Sequence, residues 1–300
     1  MAMGWRRQRV LAQAVYGIAR FRLTDGYRGM FPWSVQLQTT SICEPLCRFC
    51  PQRAISGLPH GQMDLSLFRR VVDECMGHDE LVGLSLSLQN EPLSDPRLDG
   101  LVRYAAGQRR NRATVGIVTN GVKLTPPRLA ELERAGLDRI QINVQASREE
   151  YEQLTRQPDW YGFQRDLSQL ERCRSAVEVS VVRVKLSRRR AHPHHYAPPF
   201  GEGEVLGGQL RRLLRRALAA CPIPFYQANI LFNGDVIICS HDWERQVVLG
   251  NVREQSLASV WNSEHANRIR RAWLRHRERN LPSCVHCSVF RDLAVTPVGI

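Results

Sequence analysis

The chain has 300 residues, 43% apolar and 24% charged, which is the usage of an ordinary folded protein and excludes a disordered or fibrous one. No uninterrupted apolar run approaches the roughly 20 residues that a membrane-spanning helix needs. The formal charge of +13 rests on 42 basic residues, of which only Lys123 and Lys185 are lysine, so the basicity is a matter of arginine.

Residues 1–30 read as an N-terminal helical extension, with Trp5, Val10, Leu11, Ala14, Val15 and Ile18 at helical spacing. Gln8, Arg9, Gln13, Tyr16 and Arg20 interrupt the apolar centre that a signal peptide would need, so the chain is expected in the cytoplasm with its thiols reduced. Residues 31–190 alternate strand and helix. A strand over 35–39 runs into Cys43, Cys47 and Cys50, and Asp64 caps a helix that continues to Met76. A strand over 84–88 and a helix ending near Ala106 follow. The next strand, 115–119, ends at Asn120-Gly121, and helix 126–135 stops at Gly136. Strand 139–144, helices 149–156 and 163–174, and a β-branched strand over 177–186 complete the run. Five alternations predict an α/β protein with a parallel sheet, open or curved into part of a (β/α) barrel. Residues 191–210, rich in Pro, Gly and His, read as a linker or active-site loop. Residues 211–300 form a small α+β module. It holds a basic helix to Ala220, strands over 225–232 and 236–238 around an Asn233-Gly234 turn, and helices near 257–261 and 264–277.

Nine cysteines, an odd number scattered along a long chain, do not read as a disulfide framework. Cys43, Cys47 and Cys50 form C-x-x-x-C-x-x-C on one loop after the first strand. Three thiolates can hold three irons of a cubane and leave the fourth open, whereas zinc wants a fourth ligand, for which His60 is the nearby candidate. Cys221, Cys239, Cys284 and Cys287 make a second set of four. On spacing alone it suits tetrahedral zinc or a 4Fe-4S cluster equally. Cys75 and Cys173 are left over, inside expected helices, where a thiol packs as a small apolar group.

The first cysteine motif, its place after the first strand, and Phe49 before the third cysteine resemble the radical S-adenosylmethionine (SAM) enzymes. Further motifs follow in the family's order. Asn90-Glu91-Pro92 stands where members carry G-E-P, with Asn in place of Gly, so that turn must accept a Cβ. Thr119-Asn120-Gly121 matches T-N-G, Asn143 stands in the place of S-x-D-G, and Arg156 falls where many members place an arginine. The resemblance implies that the open iron chelates SAM, that Phe49 lies near the adenine, that the 90–92 backbone holds the SAM amino group, that Asn120 and Asn143 belong to the SAM site, and that Arg156 meets the carboxylate. It also favours iron over zinc at the second site. The order C, G-x-x-x-x-C, C-x-x-C, with Gly250-Asn251-Val252 and Trp261-Asn262-Ser263-Glu264, is that of SPASM and Twitch domains, and no cysteine after Cys287 means one auxiliary cluster.

The overall layout also resembles the Twitch dehydrogenases of aminoglycoside biosynthesis. They place a glutamate two positions after the second auxiliary cysteine and an arginine after the last barrel strand against the substrate hydroxyl. Here those places hold His241 and Arg189, and His241 paired with Asp242 makes a serviceable proton acceptor. The expected reaction is hydrogen-atom abstraction by a 5′-deoxyadenosyl radical from an aminocyclitol or amino sugar, oxidation to a ketone, and electron supply by a flavodoxin- or ferredoxin-type donor. Epimerisation of an aminoglycoside or peptide is the rival within this chemistry. A zinc- or cluster-containing nucleic-acid-binding protein is the rival outside it, with Arg109, Arg211, Arg270 and Arg271 among the possible phosphate contacts. Those arginines lie on separate helices without interleaved aromatics, as solvated faces do, so neither nucleic acid nor membrane is an expected partner.

Overall fold

The computed structural model describes residues 16–44, 50, 52, 55, 57–145, 147–155, 159–184, 221 and 223–275. The linker over 191–210, and with it Cys47, Phe49, Arg156, Arg189, Cys284 and Cys287, lies outside the described residues. The first half alternates as the sequence predicts. β1 (Ser34–Leu37), α1 (Leu65–Met76), β2 (Gly83–Ser85), α2 (Leu98–Gly107), β3 (Thr114–Thr119), α3 (Pro126–Arg134), β4 (Arg139–Gln145), α4 (Arg148–Thr155), α5 (Trp160–Arg172) and β5 (Glu178–Val184) follow in order. Local chemistry sets the boundaries. Asp64 caps α1 by accepting from Ser66 N and Leu67 N, and Thr125 caps α3 ahead of two prolines.

β6 (Gln227–Ile230), β7 (Asp235–Ile237) and β8 (Val248–Asn251), then α6 (Leu257–Asn262) and α7 (Glu264–Leu274), complete the described chain. The C-terminal strands do not form a sheet of their own. β6 pairs in parallel with β1, and the sheet runs β5-β4-β3-β2-β1-β6-β7-β8, with β7 and β8 antiparallel. The Asn233-Gly234 turn joins β6 and β7, and Gly234 takes the positive φ of 94° that such a turn requires. β8 has no strand signature in the sequence. Val-Leu-Gly-Asn is short and glycine-containing, and pairing with β7 makes it a strand.

Each parallel strand presents two unlike faces. Val35, Leu37, Leu84, Leu86, Val115, Ile117, Ile140, Ile142, Ala228 and Ile230 join the core with Leu67, Phe68, Val71, Leu101, Leu129 and Leu167 of the helices. The alternate positions are polar or small: Ser34, Gln36 and Gln38; Gly83, Ser85 and Ser87; Gln141 and Asn143; Gln227 and Asn229. Most of these polar residues are nevertheless buried. A flat sheet would leave that face open to water, so something must cover it. Gln89 Nε2, in the loop after β2, donates to Ser240 O at 3.0 Å, in the loop after β7. Those strands are three spacings apart in the sheet, about 14 Å if it were flat. Sheet and loops therefore curl inward over the polar face, as in a partial barrel.

The N-terminal segment is bolted to the C-terminal helices by side chains. The Asn262 amide exchanges bonds with Met30 N and O, and the Asn267 amide does the same with Tyr27. Arg270 lies wholly buried, its guanidinium 4.1 Å from the Trp261 ring and 4.8 Å from the Tyr27 ring, donating to Pro224 O and Trp261 O. A solvated role for this arginine is corrected: it is a core bolt, because two aromatic faces and two carbonyls replace its water. Arg109 is likewise paired with Asp138, and Arg271 with Glu264 and Asp25. Among the described residues no helix is long and apolar enough to cross a membrane. Arg270→Ala should lower stability by about 3 kcal/mol or more, seen as a fall in Tm, because two carbonyls and two ring faces lose their cation together.

Candidate active site

The cysteine loop leaves β1 and is clasped at its base. Ser41 N donates to Gly61 O, Gly61 N donates to Ser41 Oγ, and Gln52 Nε2 returns to Ser41 O at 2.8 Å. Arg97, paired with the buried Asp95, donates to Thr39 O and Met63 O on either side of that clasp. Cys43 and Cys50 sit half-buried on this loop. Ile42 O accepts from Glu91 N at 3.1 Å, which ties the residue before Cys43 to the Asn90-Glu91-Pro92 turn.

Glu91 also fastens that turn to the next one. Its carboxylate accepts from Leu93 N at 3.0 Å, Thr119 Oγ1 at 2.6 Å and Asn120 N at 2.8 Å. Burial raises its pKa, and the bonds from Asn120, Thr119 and Leu93 work in the opposite direction. Gly121 completes the second turn at a φ of 79°, where a Cβ would stand 2.6 Å from the Ile142 side chain. Asn90 accepts from Leu88 N through Oδ1, while its Nδ2 is buried without a partner. Gln89, just before this turn, takes a positive φ of 52°. Asn143 projects from β4 on the polar face and accepts from Gln141 Nε2.

A cavity of about 320 Å³ opens beside these turns, lined by Glu44, Glu91, Asn120, Lys123, Tyr151 and Phe163, among others. Lys123 pairs with Glu44 of the cysteine loop and donates to Ser94 Oγ at 3.2 Å. The sequence reading passed over this residue. The available signal was its being one of two lysines in an arginine-rich chain.

Cys221 and Cys239, eighteen positions apart, both pack on Ile223 and Tyr226. Burial raises the Tyr226 phenol, and the two cysteine sulfurs add to the shift. His241 N lies 3.4 Å from Cys239 Sγ, and its Nδ1 is 3.5 Å from that sulfur and 3.4 Å from Ser240 Oγ. Desolvation there pushes His241 down to about 4, so the ring is neutral at pH 7. Asp242 is buried, and its carboxylate accepts from Gln246 N and Val247 N across the turn over 242–247.

Both donor sets suit the groups expected of them. Cys43 and Cys50 share one clasped loop beside a turn with an orphaned amide donor, and Cys221 and Cys239 converge on one buried phenol. Among the described residues no three potential ligands cluster, and the remaining members, Cys47, Cys284 and Cys287, lie outside them.

Residues 37–184 match the radical SAM superfamily, and residues 221–288 match SPASM, an iron-sulfur cluster-binding domain. The chain belongs to the radical SAM superfamily and carries a C-terminal SPASM domain. Its radical SAM domain binds SAM and a 4Fe-4S cluster, and its SPASM domain binds auxiliary iron–sulfur clusters. Among individual proteins, it is 23% identical to the S-adenosyl-L-methionine-dependent 2-deoxy-scyllo-inosamine dehydrogenase of Niallia circulans, over 85% of this chain and 92% of the relative. It is also 23% identical to the tungsten-containing aldehyde ferredoxin oxidoreductase cofactor-modifying protein of Pyrococcus furiosus, over 84% of this chain and 86% of that one. The crystal structure of BtrN in complex with AdoMet and 2-DOIA superposes with a TM-score of 0.61 at 20% identity, covering 86% of this chain and 93% of that chain.

Two outcomes test the site. Glu91→Gln places an amide N–H against one of the three donors, and SAM affinity by calorimetry should fall about tenfold. Anaerobically reconstituted protein should carry about eight irons, and Cys239→Ala about four, with the SAM-binding cluster retained.

Proposed function

We propose that the protein is a radical SAM dehydrogenase that oxidises one alcohol of an aminocyclitol or amino sugar to a ketone. The observation that carries this reading is the buried polar face of the sheet. Gln36, Ser85 and Asn229 are buried on this face, and Ser85 Oγ and Asn229 Nδ2 are without hydrogen-bond partners. Such a lining matches a small molecule dense in donors and acceptors, since buried polar groups are satisfied by polar partners. The similarity to a 2-deoxy-scyllo-inosamine dehydrogenase over most of both chains supports the same substrate class.

Cys43, Cys47 and Cys50 hold the SAM-binding cluster in this reading, and Cys221, Cys239, Cys284 and Cys287 hold one auxiliary 4Fe-4S cluster. When bound, these groups supply the electron that cleaves SAM to methionine and a 5′-deoxyadenosyl radical, and an acceptor for the second electron leaving the substrate. The chain's own residues do the rest. The 90–92 turn, Asn120, Asn143, Phe49 and Arg156 hold SAM, the polar face orients the alcohol, and Arg189 contacts its oxygen. His241, beside Cys239, takes the hydroxyl proton. Epimerisation needs a hydrogen-donating thiol beside the substrate. Cys75 is buried on the core face of α1, and Cys173 is exposed after α5, at the amino end of β5 and away from the SAM turns. The protein is proposed to act in the cytoplasm with a flavodoxin- or ferredoxin-type donor, whose acidic surface suits the excess of arginine.

Anaerobic incubation with SAM, a reductant and a panel of aminocyclitols and amino sugars should yield a product lighter by two hydrogens for each 5′-deoxyadenosine. Deoxyadenosine without a ketone, or solvent deuterium at an inverted carbon, would overturn the reading. His241→Asn should leave SAM cleavage intact and slow ketone formation by about 100-fold.

A further inference from the structure

We infer that Gln89 is a positioning residue that sets where the auxiliary-cluster loop stands relative to the SAM-binding turn. Its backbone lies in the left-handed region at a φ of 52°, which glutamine rarely adopts and which neighbouring Asn90 would accept more readily. Strain of this kind persists where surrounding contacts over-determine it. The contacts here are specific. The turn carries the side chain towards the loop after β7, where Nε2 donates to Ser240 O at 3.0 Å and to Asp242 O at 3.3 Å. One amide has two hydrogens, and both carbonyls are served.

Those carbonyls flank His241, whose own N–H donates to Cys239 Sγ at 3.4 Å. Holding them fixes the peptide that donates to the sulfur. Hydrogen bonds to cluster sulfurs, and the surroundings that orient them, tune a cluster's potential. A second glutamine extends the link. Gln38 Nε2 donates to Gln89 O, and Gln38 Oε1 accepts from Phe232 N in the β6–β7 turn. Leu88 packs beside it on Leu231 and Ile237. β2 and β7 are not neighbours in the sheet, so no backbone ladder joins the loops that follow them directly. The two glutamines and one apolar contact bridge those loops.

The turnover part of the test rests on the dehydrogenase reading, and the potential does not. Gln89→Glu replaces the donor with an oxygen facing two carbonyls, Gln89→Gly removes the tether together with the backbone strain, and Gln89→Lys restores a donor of similar reach. Each holoenzyme would be measured for iron content, 5′-deoxyadenosine formation, ketone per deoxyadenosine, and the auxiliary cluster's midpoint potential by EPR-monitored redox titration. The Glu and Gly variants should keep their iron and their SAM cleavage, show a more negative auxiliary potential, and lose about tenfold in ketone per deoxyadenosine. The Lys variant should recover both. Unchanged potential and coupling in the Glu and Gly variants would refute the inference. If the Glu variant fails to assemble, the strain-free Gly variant decides. If wild-type protein oxidises nothing in the panel while the Glu variant's potential still shifts, the dehydrogenase reading falls and the role of Gln89 stands.

Discussion

The Glu91 carboxylate, 3% exposed, accepts from Leu93 N, Thr119 Oγ1 and Asn120 N, while its backbone N–H donates to Ile42 O. Three loops that leave three different strands are thereby joined at one residue. A carboxylate out of water needs this many donors, and losing one leaves the rest of the cluster carrying a desolvated charge. The arrangement is possible only because β1, β2 and β3 are in parallel register, Gln36 beside Ser85 and Ser85 beside Gly116, so that their loops emerge together. The cysteine loop, the Asn90-Glu91-Pro92 turn and the Thr119-Asn120-Gly121 turn become one unit, and Lys123 extends it through its ion pair with Glu44.

The same strands serve two solvents. Their apolar face packs beneath the helices, and most side chains of their polar face are nevertheless buried. The C-terminal module does not sit apart from this arrangement. β6 lies against β1, so the strand leading into the first cysteine motif and the hairpin leading into Cys239 share a sheet. Asn262, Asn267 and Arg270 clasp the N-terminal segment at Met30 and Tyr27.

The residues legible in the sequence were those whose chemistry must be local. Cys43, Cys47 and Cys50 have to share a loop, and Asn90-Glu91-Pro92 and Thr119-Asn120-Gly121 announce turns after strands. Asp64 and Thr125 signal helix starts through side chains that reach only two or three residues. Residues whose roles come from distant partners left no such trace. Gln89 meets carbonyls about 150 positions away, Arg270 finds its aromatic box on two separate segments, and β8 becomes a strand only beside β7. Asp242 also takes its backbone partners from the fold, accepting from amides four and five positions on that only the turn over 242–247 brings to it.

By itself, then, the sequence determined the alternation that makes a parallel sheet, the two sets of cysteines, and the order of the motifs behind the first set. Periodicity and spacing encode these directly, because they depend on neighbours in the chain. The tertiary structure alone decided that the auxiliary module continues the same sheet, that its loop folds over the polar face, and that two glutamines join it to the loop of Asn90-Glu91-Pro92. Those outcomes depend on side chains meeting across a curled sheet, and a linear pattern carries no record of which distant residues the curl brings together.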